Sequence, residues 1–434
     1  MKYRYLAAFE ISSSKIKGAV AAVDDNSKMR IVAVEEERAT DIVHYGCVIK
    51  PADVLSHIMS IREKLESNAE LENRKIEMAV VSLGGQSLMS TVKTIELKFP
   101  GESIVGQDTI RELKTRAIST GVSEREVVKV QPRDFIVDGR AVSNPLSMYC
   151  REIRAKMNVV YCNPQLKINL NRVFENLKDG EGRLNVIKYP VRPIAIANLV
   201  LSNEEKSLGC MLVDFGAETT TVSIYKNDSL RYLVTLPLGS RHITRDIMAF
   251  RSCLESDAEE FKCRNANIDP DHKEENPEIE AVNRCIYARS GEIIANIVKQ
   301  LDYAGIKAEE LPRGIVLIGG GAKLVGFDKV LSQESGLEVR AGSTVMSVDF
   351  MDMSLRQEDN IDVISLLAHA SALRDKPDML SAPIVEEEEP DDTPRIGEEE
   401  GEDKVDEEIK DDEPNIFAST LKRIKKIFVD EDED

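Results

Sequence analysis

CMLVDFGAETTTVSIY, residues 210–225, reads as two strands joined by a turn. An apolar run ends on an acid, Asp214; a turn of tiny and hydroxyl-bearing residues follows, and then a second, β-branched run. Upstream, LAAFEISSSKIKGAV at residues 6–20 follows the same plan, with Glu10 as the acid and Ser12–Ser14 as the turn. Two copies of one supersecondary unit in one chain imply a duplicated, two-lobed α/β architecture. In turns of this kind successive backbone N–H groups and hydroxyls can cradle phosphates, while a strand-end acid can hold Mg²⁺, usually through water.

Outward from these hairpins the pattern alternates. RIVAVEEE adds a strand, and residues 51–71 carry a helical period through Val54, Leu55, Ile58, Ile61 and Leu65 before the apolar strand EMAVVSLGG. Residues 87–161 break the pattern: three alternating segments flank one helical stretch, IRELKTRAIST, which predicts a small inserted α+β unit. The first lobe therefore takes in 1–86 and 162–208, and the second lobe 209–374. Within the second lobe, IVLIGGGAKLVGF places Gly319, Gly320 and Gly321 between a strand and a helix, where missing β-carbons let the backbone approach a flat ligand.

The formal charge of -20 is unevenly placed. The segment Glu386–Glu413 holds seventeen acids against three bases, and the first 385 residues carry only -5. A mildly acidic body disfavours nucleic acid as partner. Residues 375–414, full of acids and prolines, cannot bury enough apolar surface to fold and are expected to form a disordered tether. Seven singly spaced cysteines without a Cys-x-x-Cys pair favour reduced thiols in a cytoplasmic protein, and neither a signal peptide nor a spanning apolar run is present. His-Glu-x-x-His and Gly-x-Ser-x-Gly patterns are also missing.

The tail 415–434, NIFASTLKRIKKIFVDEDED, differs from the tether. At 100° per residue Phe417, Leu421, Ile424 and Phe428 share one face, Ile416 and Ile427 widen it, Lys422, Arg423 and Lys426 oppose it, and Lys425 flanks it. Such a helix suits either a membrane surface or a protein groove. Phenylalanine and isoleucine set against lysine, on a tether that makes packing onto the home domain unnecessary, favour an anionic lipid membrane.

The succession FEISSSKIK, PIAIANLVLSNEEKSLGCMLVDFGAETTTVSIY, LPLGSRHITRDI, DAEEFK and IVLIGGGAKLVGF resembles the actin/Hsp70/sugar-kinase superfamily, a ribonuclease H-like duplicated fold. Within it the chain is most similar to the bacterial cell-division FtsA family, which also carries an extra subdomain at this place in chain order and a C-terminal membrane-targeting helix. That resemblance implies ATP and Mg²⁺ as ligands, a head-to-tail polymer of the chain with itself, and a place at the division site on the cytoplasmic face of the cell membrane. It also implies the C-terminal peptide of the tubulin-like protein FtsZ and later division proteins as partners.

Carried over by position, Ser12, Ser13, Ser14 and Lys15 form the first phosphate loop, and Asp214, Gly216, Thr219 and Thr220 the second. Glu10 and Asp214 stand near the metal, Gly239 closes the site, Glu259 and Lys262 reach the ribose, and Gly319, Gly320, Gly321 and Ala322 flank the base. The chain departs from the family pattern at Glu10 and Ser12, where Asp-x-Gly is usual, at Ala217 and Glu218 in the second loop, and at Ser240, where glycine is usual. A serine forced into a glycine-type backbone angle costs roughly 1 kcal/mol. A carboxylate beside a triphosphate repels it unless it turns outward or meets the metal. These departures imply weak or absent ATP hydrolysis. A PilM-type pilus scaffold and a sugar or acetate kinase of the same superfamily are the alternatives. The tether and tail disfavour the first, and the want of an evident substrate base disfavours the second.

Overall fold

The computed structural model describes residues 3–175 and 184–382. Its first lobe is a six-stranded sheet ordered Asn185–Lys188, Met78–Val81, Arg4–Ile11, Lys15–Val23, Met29–Arg38 and Val348–Phe350. The hairpin of residues 4–23 is antiparallel and continuous in register from Arg4 opposite Val23 to Ile11 opposite Ile16. Nearly every side chain in it is buried because both faces are covered. On one face lies the helix Pro51–Glu66, whose Val54, Ile58, Ile61 and Leu65 recur at helical spacing and are wholly buried. That helix approaches closely at Gly18, where a β-carbon would sit 2.5 Å from Ile61 Cγ2. The helices Arg192–Val200 and Ile361–Ser371 pack together on the other face.

The second lobe repeats the plan. Its hairpin Cys210–Phe215 and Thr220–Lys226 is antiparallel, and a parallel strand, Ile315–Ile318, lies beside the first of these just as Met78–Val81 lies beside Arg4–Ile11. Helices Ser240–Arg251, Glu255–Asn265 and Pro277–Ala304 belong to this lobe, whose separate apolar core centres on Phe215, Ile243, Ile293 and Phe327.

The unit inserted in the first half of the chain joins the second lobe in space. Its strands Met89–Ile104, Tyr149–Cys162, Glu126–Val137 and Arg140–Val142 extend the second-lobe sheet beyond Ser229–Leu236, giving nine strands in all. The paired ladder at the junction is short, Val234 with Met89, and other contacts reinforce it. Ser90 Oγ accepts from the Leu233 N–H, Thr235 N–H donates to Leu88 O, Asn158 donates to Leu230 O, and Arg231 pairs with Asp134 at 3.0 Å. The helix Gln107–Ser119 covers a third core built on Leu113, Ile153 and Met157.

Two expected boundaries move. The second lobe ends near residue 343 rather than 374, because Val345 N–H donates to Leu199 O, Val348–Phe350 joins the first-lobe sheet, and Ile361–Ser371 packs on its strands. The tether also begins later than residue 375. Met379 is fully buried, accepts from the N–H groups of Glu77 and Met78, and donates to Tyr5 O, while Leu380 bridges to Ile76. The rest of the expected tether and the whole tail, with Ile416, Phe417, Leu421, Lys422, Arg423, Ile424, Lys425, Lys426, Ile427 and Phe428, lie outside the described residues. No helix among the described residues is long and apolar enough to cross a membrane.

Candidate functional site

Both hairpin turns point into one cleft between the lobes, and they close alike. Ser12 N–H donates to Lys15 O at 3.1 Å, and Gly216 N–H donates to Thr219 O at 2.9 Å. None of Ser12, Ser13, Ser14, Ala217 and Glu218 takes a positive φ, so the serine and alanine substitutions for glycine bring no backbone strain. The glycine turn after Ile318 leans on the second loop: Gly319 has φ +96°, and a β-carbon there would lie 2.4 Å from Phe215 O and 2.8 Å from Asp214 Oδ1. Gly239 packs behind the same loop, where a β-carbon would come within 2.4 Å of Ala217 O.

The cleft encloses a cavity of about 770 Å³, within the usual range for small-molecule sites. Ser12, Ser13, Ser14, Lys15, Asp214, Gly216, Thr219, Glu259, Lys262, Gly319, Gly320 and Gly321 all line it. Glu10, Thr220, Gly239 and Ala322 do not. Thr220 turns its hydroxyl to Leu238 O at 2.7 Å, and Ala322 packs against the second-lobe core. Lys15 reaches the Glu36 carboxylate at 2.8 Å. Glu259 and Lys262 bond each other and Thr244, so they form one preset unit on the second-lobe wall.

At the floor of the cleft stands Arg192, the first residue of its helix, whose N–H donates to Leu83 O. Its guanidinium is 2.7 Å from Asp214 Oδ2 and 3.3 Å from Glu10 Oε1, joining the strand-end acids of the two lobes. Burial pushes the Glu10 carboxyl up to about 7 against the opposing pull of Arg192, and burial likewise raises Asp214. Lys17, opposite Glu10 in the hairpin register, pairs with Asp362 at 3.1 Å. A divalent ion set between Glu10 and Asp214 would be close to the guanidinium. Single and double positive charges about 5 Å apart repel by about 7 kcal/mol at an effective dielectric near 20. Glu10 is fully buried and off the cavity wall, and the described residues contain no cluster of three or more metal-ligating side chains. As arranged, the pair does not fit the expected Mg²⁺ position.

Glu218, expected to repel a phosphate, is held instead by the protein. One oxygen accepts from Tyr45 N–H at 2.7 Å and the other from Arg241 at 2.8 Å, with His44 Nδ1 at 3.5 Å. These bonds, led by the Tyr45 N–H, outweigh burial and keep the carboxyl below its ordinary range. Ser13 Oγ accepts from the neighbouring Gly46 N–H at 2.8 Å. The 44–46 turn of the first lobe thus grips both phosphate-loop candidates.

Two family profiles match the chain. One, described as cell division protein FtsA, covers residues 211–364, and the other, the SHS2 domain inserted in FtsA, covers residues 85–161. The chain belongs to the FtsA family. It is 27% identical to the cell division protein FtsA of Porphyromonas gingivalis over 84% of this chain and 78% of that one. It is 25% identical to the Bacillus subtilis FtsA over 77% of this chain and 78% of that one. Among solved structures, the PilM–PilN type IV pilus biogenesis complex superposes with a TM-score of 0.61 at 16% identity, covering 84% of this chain and 98% of that one, a likeness of fold. This FtsA-family chain is an actin-like cell-division protein.

The sequence reading of this FtsA-family chain missed Arg192, Lys17, Asp362 and the Tyr45–Glu218 contact. Arg192 carried a faint signal, a lone cation between valine and proline at the head of an apolar helix. Lys17 carried another, since strand alternation puts it on the same face as Lys15 and Ala19 in a strand with both faces covered. Asp362 and Tyr45 come from distant parts of the chain, and nothing local marks them.

Proposed function

We propose that the cleft binds ATP, and that the chain assembles head to tail with its own copies and fastens the FtsZ polymer to the cytoplasmic face of the cell membrane at the division site. The observation that carries the nucleotide reading is the convergence of two equivalent hairpin turns and a glycine turn, from opposite lobes, on one cavity. Ser12–Lys15 and Gly216–Thr219 supply backbone and hydroxyl donors to the phosphates, Glu259 and Lys262 face the ribose, and Gly319–Gly321 admit the base. Membership of a cell-division family supports the rest, with the FtsZ tail docking on the second lobe beyond Thr244 and the 415–434 segment lying on anionic lipid. Later division proteins join the same assembly.

Titration of the full chain with ATP tests the cleft. Co-sedimentation with anionic and neutral liposomes, beside a chain ending at Pro414, tests the tail, and pull-down with an FtsZ C-terminal peptide tests the partner. Equal sedimentation of both chains refutes the anchor, and failure to retain the peptide refutes the tether.

A further inference from the structure

The Arg192 guanidinium occupies the midpoint between the two strand-end acids, where the duplicated fold brings its lobes together. Three features set it apart from an ordinary buried ion pair. First, it lines the cavity and its side chain is 18% exposed, so one edge faces the space a ligand would fill. Second, it is held by charge more than by aligned hydrogen bonds: Arg192 Nε and both Glu10 oxygens are buried and have no hydrogen-bond partner, although Nε and Oε1 lie 3.3 Å apart. With Nε against Glu10 and Nη2 against Asp214, Nη1 is the group left to meet an incoming anion. Third, four of the other cations on the cavity wall are held in ion pairs, Lys15 with Glu36, Lys17 with Asp362, Lys262 with Glu259 and Lys323 with Asp359. Only Arg192, unlike these or Arg356, stands between the strand-end acids of both lobes.

We propose that Arg192 is the resident cation of this cleft, taking the place of a divalent metal, so that the chain binds a nucleoside polyphosphate without Mg²⁺ held at Glu10 and Asp214. The inference rests on the nucleotide reading of the cleft. Arg192 offers its cavity-facing edge to phosphate oxygens and keeps its other side on Asp214, tying ligand and both lobes through one planar group. A guanidinium suits this double task because its fork of N–H groups can face a carboxylate and a phosphate together. Unlike a hydrated metal ion, it activates no water.

The test is calorimetric titration of the full-length protein with ATP, once in EDTA and once in excess Mg²⁺. The native chain is expected to bind with affinities within about threefold of each other in the two buffers, half a decade in Kd. Arg192→Gln should lose about tenfold or more in EDTA and recover most of it in Mg²⁺, because the freed acids then accept the metal. Manganese titration without nucleotide, read by electron paramagnetic resonance, should show one new bound ion in Arg192→Gln and none at this position in the native chain. Arg192→Lys retains the charge should the glutamine variant fold poorly, and it should keep binding in EDTA. Native binding that needs Mg²⁺ by tenfold or more overturns the inference and leaves the nucleotide site standing, as does unchanged binding by Arg192→Gln in EDTA. Absence of ATP binding in both buffers removes the nucleotide reading and this inference with it.

Discussion

Gly319 and Gly320 are neighbours, yet a methyl group added to one would strike Phe215 O while the other faces open space. Gly319→Ala should therefore destabilise the fold by about 1–3 kcal/mol through overpacking and its positive φ. Gly320→Ala should stay within about 0.5 kcal/mol and act, if the base lies there, on nucleotide affinity alone. Urea unfolding of the two variants beside ATP titration separates the effects. Glu218 makes a second prediction at this scale. Its pKa is depressed in the folded state from an ordinary 4.5, so its stabilising contribution is complete above that value and fades as pH falls through the lower folded pKa. Glu218→Gln should cost about 2 kcal/mol at neutral pH and flatten the acid limb of the native chain's stability curve below about pH 4.5. Urea midpoints measured from about pH 3 to 6 would show it, and parallel curves for the two proteins would refute it. The serine loop, Asp214 and the three glycines were legible in the sequence because each signals through its immediate neighbours. The cation between Glu10 and Asp214 was not, because its two partners lie far away in the chain on different lobes.

Elements close to a duplicated hairpin were legible for the same reason, and those that cross back between lobes were not. Val348–Phe350 is three residues long, and only its pairing with Met29–Ile31 makes it a strand. The apolar pair Met379 and Leu380 stands in a polar context that reads as tether, yet it fills the space beside Tyr5, Ala7 and Met78. Removing that plug has a predictable cost. A chain ending at Ala382 should match the full chain in urea midpoint, whereas one ending at Arg374 leaves Glu77 and Met78 N–H groups without their acceptor. Met379→Ala, which removes the fully buried side chain but keeps the backbone bonds, should cost about 2–5 kcal/mol. If the Arg374 end-point proves as stable as the Ala382 one, the segment is an ornament on the surface and the boundary returns to residue 375.

At the scale of the whole molecule, the first-lobe core runs on into its neighbours, taking in Leu212, Tyr225, Leu233 and Val316 of the second lobe and Val128 and Val160 of the insert. The second lobe and the insert each hold a further core of their own. The insert adjoins the second lobe through the edge of Ser229–Leu236, and the two lobes face each other across the cleft through Arg192, the Glu218 contacts and the crossing chain segments. The cavity is lined by both lobes and by no residue of the insert's outer helix, Gln107–Ser119. ATP at about 100 times its Kd should therefore add about 2.7 kcal/mol to stability by mass action. The added protection should fall on particular amides. Hydrogen exchange read by mass spectrometry should slow in peptides covering Ser12–Lys15 and Gly216–Thr219 together, and in the glycine turn 319–321, while peptides from Gln107–Ser119 stay unchanged. Protection confined to one lobe would place the nucleotide outside the cleft. Protection of both turns with an equal gain in Gln107–Ser119 would mean that the insert opens only together with the lobes, contrary to the separate core that lies beneath that helix.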